Sequence, residues 1–225
     1  MIVDIDGTLV DSNYHHTIAW SRAFRELGID APLWHIHRRV GMGGDQLVPA
    51  VAGSEVAGRL GEALRDAEAA RFRDLIGEVR PLPGARRLLE ALRDSGHRPV
   101  LASSAKQDEV DHYLDLLDAR GLVEAWTSDA DVDRTKPQPD LVHAAMDKVA
   151  DAQRFVMIGD TTWDALAAAR ARVPAIGLLS GGFGEDELRA AGCRAVFADA
   201  GELAGHLTVA LAGSREPLLV PAGAV

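Results

Sequence analysis

The chain opens MIVDIDGTLVDS (residues 1–12). Three apolar residues lead into Asp4 and Asp6, and Gly7 and Thr8 follow at once. Two acids near a terminus are ordinarily solvated surface. Here the apolar run before them and the glycine after them read as a short buried strand that ends in a tight turn. The question is whether the rest of the chain brings partners to that strand end.

Further apolar runs recur along the sequence. RPVLAS (98–103), EAWTS (124–128), RFVMIG (154–159), PAIGLL (174–179) and RAVF (194–197) have the length and composition of strands. Amphipathic stretches separate them. ARRLLEALRDSG carries Leu88, Leu89 and Leu92 at helical spacing and stops at Gly96. DEVDHYLDLLDARG, TWDALAAARAR and DELRAAG repeat the pattern. This alternation predicts a parallel sheet covered by helices on both faces, with ligands bound beyond the carboxyl ends of its strands. Residues 14–79 break the alternation. YHHTIAWSRAFRELG and SEVAGRLGEALRDAEAARFRDLI read as helices, no strand is visible, and RPLPG (80–84) returns the chain to the sheet. The segment reads as a helical insertion after the first strand. EPLLVPAGAV (216–225) reads as a loose tail, or as a strand or strap packed on the core.

Composition narrows the function. With 225 residues the chain can bury a full core. It is 47% apolar and 26% charged, the balance of a soluble globular protein. A formal charge of −10 argues against nucleic acid or an anionic membrane as a non-specific partner. One cysteine, Cys193, excludes an intrachain disulfide framework and fits a reducing cytosol. With no apolar span and no signal peptide visible, a cytoplasmic protein is expected.

Polar residues gather at the predicted strand ends: Asp4 and Asp6, Ser103 and Ser104, and Asp160 with Asp164. Lys136, in TKPQPD, lies in a loop on the same side. Carboxylates brought together need a cation between them, or their pKa values rise against each other. Hard oxygen ligands select Mg²⁺, which leans on a substrate phosphate. A lysine and a hydroxyl can hold the other phosphate oxygens, and one carboxylate is free to attack phosphorus. A second, two residues on, can move the proton. The turn at Gly7 offers backbone N–H groups to the phosphate.

These four segments resemble, in order, the motifs of the haloacid dehalogenase superfamily. DIDGTLVDS is similar to its opening DxDGT[LV]xDS, LASSAK to the second motif, TKPQPD to the third and IGDTTWDA to the GDxxxD fourth. The similarity runs from residue 1 to about 210 and points to the phosphoglycolate phosphatase and β-phosphoglucomutase-like subgroup. It implies an α/β fold: a doubly wound, Rossmann-like core of residues 1–13 and 80–225, with a helical cap at 14–79. By the resemblance, Asp4 is the nucleophile and a metal ligand. Asp6 is the general acid and base, with its backbone carbonyl on the metal. Ser103, Ser104, Lys136 and Gly7 bind the phosphoryl group, and Lys136 also holds Asp4. Asp160 is a direct Mg²⁺ ligand and Asp164 supports the metal from behind. Superfamily dehalogenases lack an acid two residues after the nucleophile. Asp6 stands there, and an alkoxide leaving group needs such an acid where a halide does not.

Several features lie outside the motifs. Relatives have four or five apolar residues before the nucleophile, and this chain has three. Either a start lies upstream, or Met1 and its amino group sit at the lower edge of the sheet. His35 and His37 would fall on different sides of a helix, poor geometry for a metal. His16, one turn into the first cap helix, could face the substrate; in sugar-phosphate mutases that this chain resembles, a histidine at this offset joins the cap to the acid/base step. In RVGMGGDQL (39–47), a glycine-rich loop, Arg39 could bind a second phosphate or a carboxylate. SGGFG (180–184) reads as a loop shaping the site.

The function expected is Mg²⁺-dependent hydrolysis of a small phosphorylated metabolite through an aspartyl phosphate. The partner is then that substrate, with no nucleic acid and no membrane, in a monomer or dimer. A β-phosphoglucomutase-type transferase would use the same intermediate and pass it to a sugar hydroxyl. A phosphonatase would need a cap lysine, and residues 14–79 contain none. A non-catalytic receiver module phosphorylated on aspartate would not carry so long an insertion.

Overall fold

The computed structural model describes residues 1–212. Six strands form one parallel sheet: β1 Ile2–Val3, β2 Val100–Leu101, β3 Ala125–Trp126, β4 Met157–Gly159, β5 Ala175–Leu178 and β6 Cys193–Phe197. Each overlaps one of the apolar runs. Their spatial order is β3-β2-β1-β4-β5-β6. The chain winds outward from β1 to β3, crosses back, and winds outward again from β4 to β6. The reversal lies between β1 and β4, the place where open sheets of this kind leave a crevice. Val3 pairs with Ile158, and the Asp4 amide donates to the Ile158 carbonyl at 2.9 Å. The polar ends of β1 and β4 are therefore neighbours.

Alternation along the strands builds two apolar layers. Val3, Leu101, Ile158 and Ile176 face one, and Ile2, Val100, Met157 and Ala175 face the other. The first layer is filled by α5 (Ala85–Asp94) and α6 (Gln107–Leu116), with α10 (Ala200–Gly205) and α11 (Leu207–Ala212); α7 (Asp140–Asp147), α8 (Thr162–Arg170) and α9 (Glu185–Ala191) fill the second. Leu88, Leu89 and Leu92 of α5 are wholly buried, each stabilising the fold by about 1.5–3 kcal/mol.

Between β1 and α5 lie α1 (Asn13–Glu26), α2 (Leu33–His37), α3 (Gly44–Ala52) and α4 (Ser54–Arg73). They share an apolar cluster of their own, with Trp20, Phe24, Ile36, Leu47, Val48 and Leu64. The paths out and back lie side by side. Asp11 N–H donates to the Arg80 carbonyl and Leu82 N–H to the Leu9 carbonyl, both at 2.9 Å. The stretch 39–47 is not loop throughout, because Gly44 already begins α3. Gly43, Gly44 and Pro49 mask that helix in the sequence, and burial of Leu47 and Val48 stabilises it. Met1 sits beside the lower end of β2, its amino nitrogen donating to the Arg98 carbonyl at 2.7 Å. EPLLVPAGAV lies outside the described residues. Among the described residues no helix is long and apolar enough to cross a membrane.

Candidate active site

The end of β1 and the end of β4 meet over a buried cluster of charge. Lys136, from the loop before α7, donates to Asp4 Oδ1 at 2.5 Å. The same Nζ lies 2.7 Å from Asp164 Oδ1 as an ion pair. All three side chains are at most 4% exposed. Carboxylate oxygens of Asp4, Asp160 and Asp164 lie within 4.8 Å of one another. Three carboxylates against one ammonium leave a deficit of two positive charges.

Every carboxylate is oriented by its neighbours. Asp160 accepts from the Thr8 hydroxyl at 2.6 Å and from Asn13 Nδ2 at 2.8 Å. Asp164 caps the first turn of α8, accepting from the Thr161 amide at 3.1 Å and the Thr161 hydroxyl at 2.6 Å. Burial raises Asp4 well above the usual carboxylate range; Lys136 opposes this, and Asp164 and Asp160 push the same way as burial. Asp160 is pushed up to about 7 by burial and then by Asp164, with Thr8 and Asn13 holding it back. Burial also works against the charge on Lys136, but Asp164 and Asp4 outweigh it and raise its pKa. This set of hard oxygens, short of two positive charges, fits a divalent cation. The Oδ1 of Asn13, buried beside Asp160 without a partner, is one more oxygen turned to no protein donor.

Gly7 shapes the turn rather than offering its amide. Its N–H donates to the Val10 carbonyl at 2.9 Å, and that bond withdraws the amide from the phosphate-binding role expected of it. Its φ is +75°, and an added Cβ would lie 2.2 Å from Asn13 Nδ2 and 2.3 Å from Asp160 Oδ2. The backbone must pass this close for Thr8 to reach Asp160. The Gly7 carbonyl accepts from Ser180 of the SGGFG loop at 2.6 Å.

Asp6 belongs to a second network. Its Oδ1 accepts from the Ser12 hydroxyl at 2.6 Å and lies 3.4 Å from His16 Nε2. His16 Nδ1 lies 3.0 Å from Glu68 Oε1 on α4, and its ring stacks on Phe72 at 3.7 Å. Burial alone would raise Asp6, but the hydrogen bond and charge of His16, with Ser12, win and lower it. Burial would likewise discharge His16, and Asp6 and Glu68 instead raise it to about 10. Each group thus favours the charged form of the other.

These groups open into a cavity of about 290 Å³ between the sheet edge and the inserted helices. Asp4, Asp6 and Lys136 line its floor, with Ser104 beside them. Ser103 is not at the wall: it is buried, its amide and carbonyl tied to the Thr127 hydroxyl at 3.1 and 3.0 Å. Glu109 also lines the cavity, pushed up to about 7 by burial, with Asp6 and Glu68 adding to the rise and His16 opposing it. His16 reaches Asp6 as well as the cavity. Arg39 does not line it; Arg65 of α4 does. The glycine-rich loop lies on the core. Gly43 N–H donates to the Thr135 hydroxyl at 2.9 Å, and the Thr135 amide donates to Asp45 Oδ2 at 3.2 Å. The Thr135 hydroxyl donates in turn to Asp45 Oδ1. Asp45 thus grips the residue before Lys136.

The model of the haloacid dehalogenase-like hydrolases matches residues 1–172. The chain belongs to that family. The hydrolase is 33% identical over 196 residues to a phosphoglycolate phosphatase of Agrobacterium fabrum, covering 80% of each chain. A solved hydrolase from Pseudomonas syringae is 34% identical, with a TM-score of 0.86 over 92% of this chain and 97% of that one. A putative β-phosphoglucomutase from Bacteroides vulgatus shares the fold, with a TM-score of 0.83 at 17% identity over 96% and 89%. Set beside its family motifs, the hydrolase adds Thr8, Asn13, Ser12, Glu68, Asp45 and Arg65 to the site. Thr8 and Ser12 sit inside the opening motif. The other four have no local sequence signal, because nothing near them announces what they touch.

Proposed function

We propose that this hydrolase is a Mg²⁺-dependent phosphomonoesterase that forms an aspartyl phosphate on Asp4. One observation carries the reading: a cavity-facing carboxylate pinned by a buried lysine, beside two further buried carboxylates, with Asp6 two residues along. Asp4 would hold the metal together with Asp160 and the Asp6 carbonyl, and Asp164 would steady it from behind. When bound, the ion supplies positive charge to the transferring phosphoryl oxygens.

The chain's own groups account for the remaining steps. Lys136 keeps the Asp4 carboxylate aimed, and it neutralises one phosphoryl oxygen. An Asp4 oxygen bonds to phosphorus as the ester P–O bond breaks. The departing oxygen takes a proton from the Asp6–His16 pair, whose side chains lie 3.4 Å apart. In the second half, Asp6 takes a proton from water as that oxygen bonds to phosphorus. The bond to Asp4 breaks and inorganic phosphate leaves. Inserted helices over the cavity keep bulk water from the acyl phosphate.

The cavity lies at the lower bound of ligand-binding pockets, about 300 Å³. That size suits a small phosphorylated metabolite. The test is phosphate release across metabolite phosphates with and without Mg²⁺. Release is expected only with a divalent cation and not from Asp4→Asn. Undiminished turnover by Asp4→Asn would falsify the nucleophile assignment.

A further inference from the structure

Helix α4 carries an acid on its inward stripe. Gly61, Leu64, Ala69 and Phe72 of this helix are buried, and Glu68 falls between Leu64 and Phe72, one turn from each. An apolar side chain there would extend the packing. The Glu68 side chain is instead a carboxylate, only 13% exposed, and its one side-chain partner among the described residues is His16.

That contact is one of three that fix a single ring. His16 Nδ1 lies 3.0 Å from Glu68 Oε1, and its face lies on Phe72 with the centroids 3.7 Å apart and the planes at 10°. Its Nε2 lies 3.4 Å from Asp6 Oδ1. Two of the three contacts come from successive turns of α4 and the third from the turn after β1. His16 itself stands on α1, which alone would leave the ring free to rotate about its side-chain bonds. An ionised carboxylate only accepts, so the nitrogen facing Glu68 is the one that carries N–H there. The bond made by one imidazole nitrogen decides the task of the other. With Nδ1 taken up by Glu68, Nε2 is presented to Asp6 at the cavity that all three residues line.

We propose that Glu68 is a positioning residue for proton delivery to the leaving group: from α4 it holds the His16 ring, against Phe72, so that Nε2 meets Asp6. It acts through His16 rather than on the reacting atoms. The proposal rests on the phosphatase reading above for the use made of the Asp6–His16 pair. The competing role is a plain tie between α1 and α4, which would stabilise the fold and leave the chemistry alone.

The leaving group separates the two roles. Ethyl phosphate expels an alkoxide and needs the proton; acetyl phosphate, of similar size, expels a carboxylate and does not. The test compares kcat/KM for the two in the full-length wild type, Glu68→Leu and Glu68→Gln, with Mg²⁺, since kcat/KM covers the steps up to departure of the leaving group. Leucine continues the apolar stripe of α4, and thermal unfolding checks that the variant is folded. Glu68→Leu should lower kcat/KM for ethyl phosphate by roughly tenfold to a hundredfold more than for acetyl phosphate. Glu68→Gln, which can still accept from Nδ1, should recover part of that difference. In the wild type the His16 Nδ1 proton should give a downfield, hydrogen-bonded resonance, assigned by its absence from His16→Asn, and Glu68→Leu should abolish it. Equal losses on both phosphates, no loss on either, or a resonance that survives Glu68→Leu would overturn the assignment. If the wild type releases phosphate from neither compound nor from any metabolite phosphate, while the resonance is lost as expected, the phosphatase reading fails and the placement of His16 by Glu68 stands.

Discussion

Replacing Lys136 by methionine tests the charge balance on which the site depends. Lys136, Asp4 and Asp164 are all but sealed from water, and Asp160 is wholly buried beside them. Methionine keeps most of the volume and removes the one protein cation that the three carboxylates share. Breaking a buried pair in this way costs about 3–5 kcal/mol, because a charge stays behind uncompensated. In a chain of 225 residues that lowers Tm by roughly 6–20 °C. The loss should depend on pH. Asp4 and Asp160 have folded-state pKa values above their unfolded ones, Asp160 at about 7. The folded state therefore binds more protons, and stability falls as pH rises from the unfolded value towards the folded one. Without the lysine this fall steepens. The assay is thermal unfolding of wild type and Lys136→Met at pH 5.5 and pH 8 in chelator, repeated with Mg²⁺. The deficit should be largest at pH 8 without metal, smaller in acid, and partly recovered by Mg²⁺. A variant within about 1 kcal/mol of wild type at pH 8 in chelator would refute the charge accounting.

Two further outcomes follow from the same geometry. The rise in Tm produced by a fixed Mg²⁺ concentration should grow from pH 6 to pH 8, because the ion displaces protons from Asp160 and Asp4; a rise independent of pH would show that these carboxylates are not the ligands. Asp45→Asn exchanges charge-assisted bonds to Thr135 for neutral ones at a half-buried contact. It should lower kcat/KM by roughly fivefold to tenfold through the placement of Lys136, and an unchanged kcat/KM would remove Asp45 from that role.

Much of this molecule was legible in the chain alone, and for a definite reason. Strand and helix are local periodicities, so MIV, RPVLAS and RFVMIG announce themselves through burial of every residue or every second one. Parallel connection places all strand ends with their polar residues on one edge, so Asp4, Asp160 and Lys136 could be read as one site without coordinates. The helix α3 was not legible, because Gly43, Gly44 and Pro49 argue locally for a loop, and the burial that stabilises it comes from helices elsewhere in the chain. The partners of the catalytic groups escaped for a related reason. Glu68 lies 52 residues from His16, and Thr135 lies 90 from Asp45. No spacing rule links them until the inserted helices fold back over β1. Arg39 and Arg65 are equivalent as letters, and both lie in the helical insertion. Only the packing of α4 against Gly44 at the start of α3 puts Arg65 on the cavity wall and leaves Arg39 out of it. Sequence thus determined which chemistry is present and on which edge of the sheet. Tertiary structure decided which charges are already neutralised and which remain free, because the energy of a charge depends on what surrounds it and not on its neighbours along the chain.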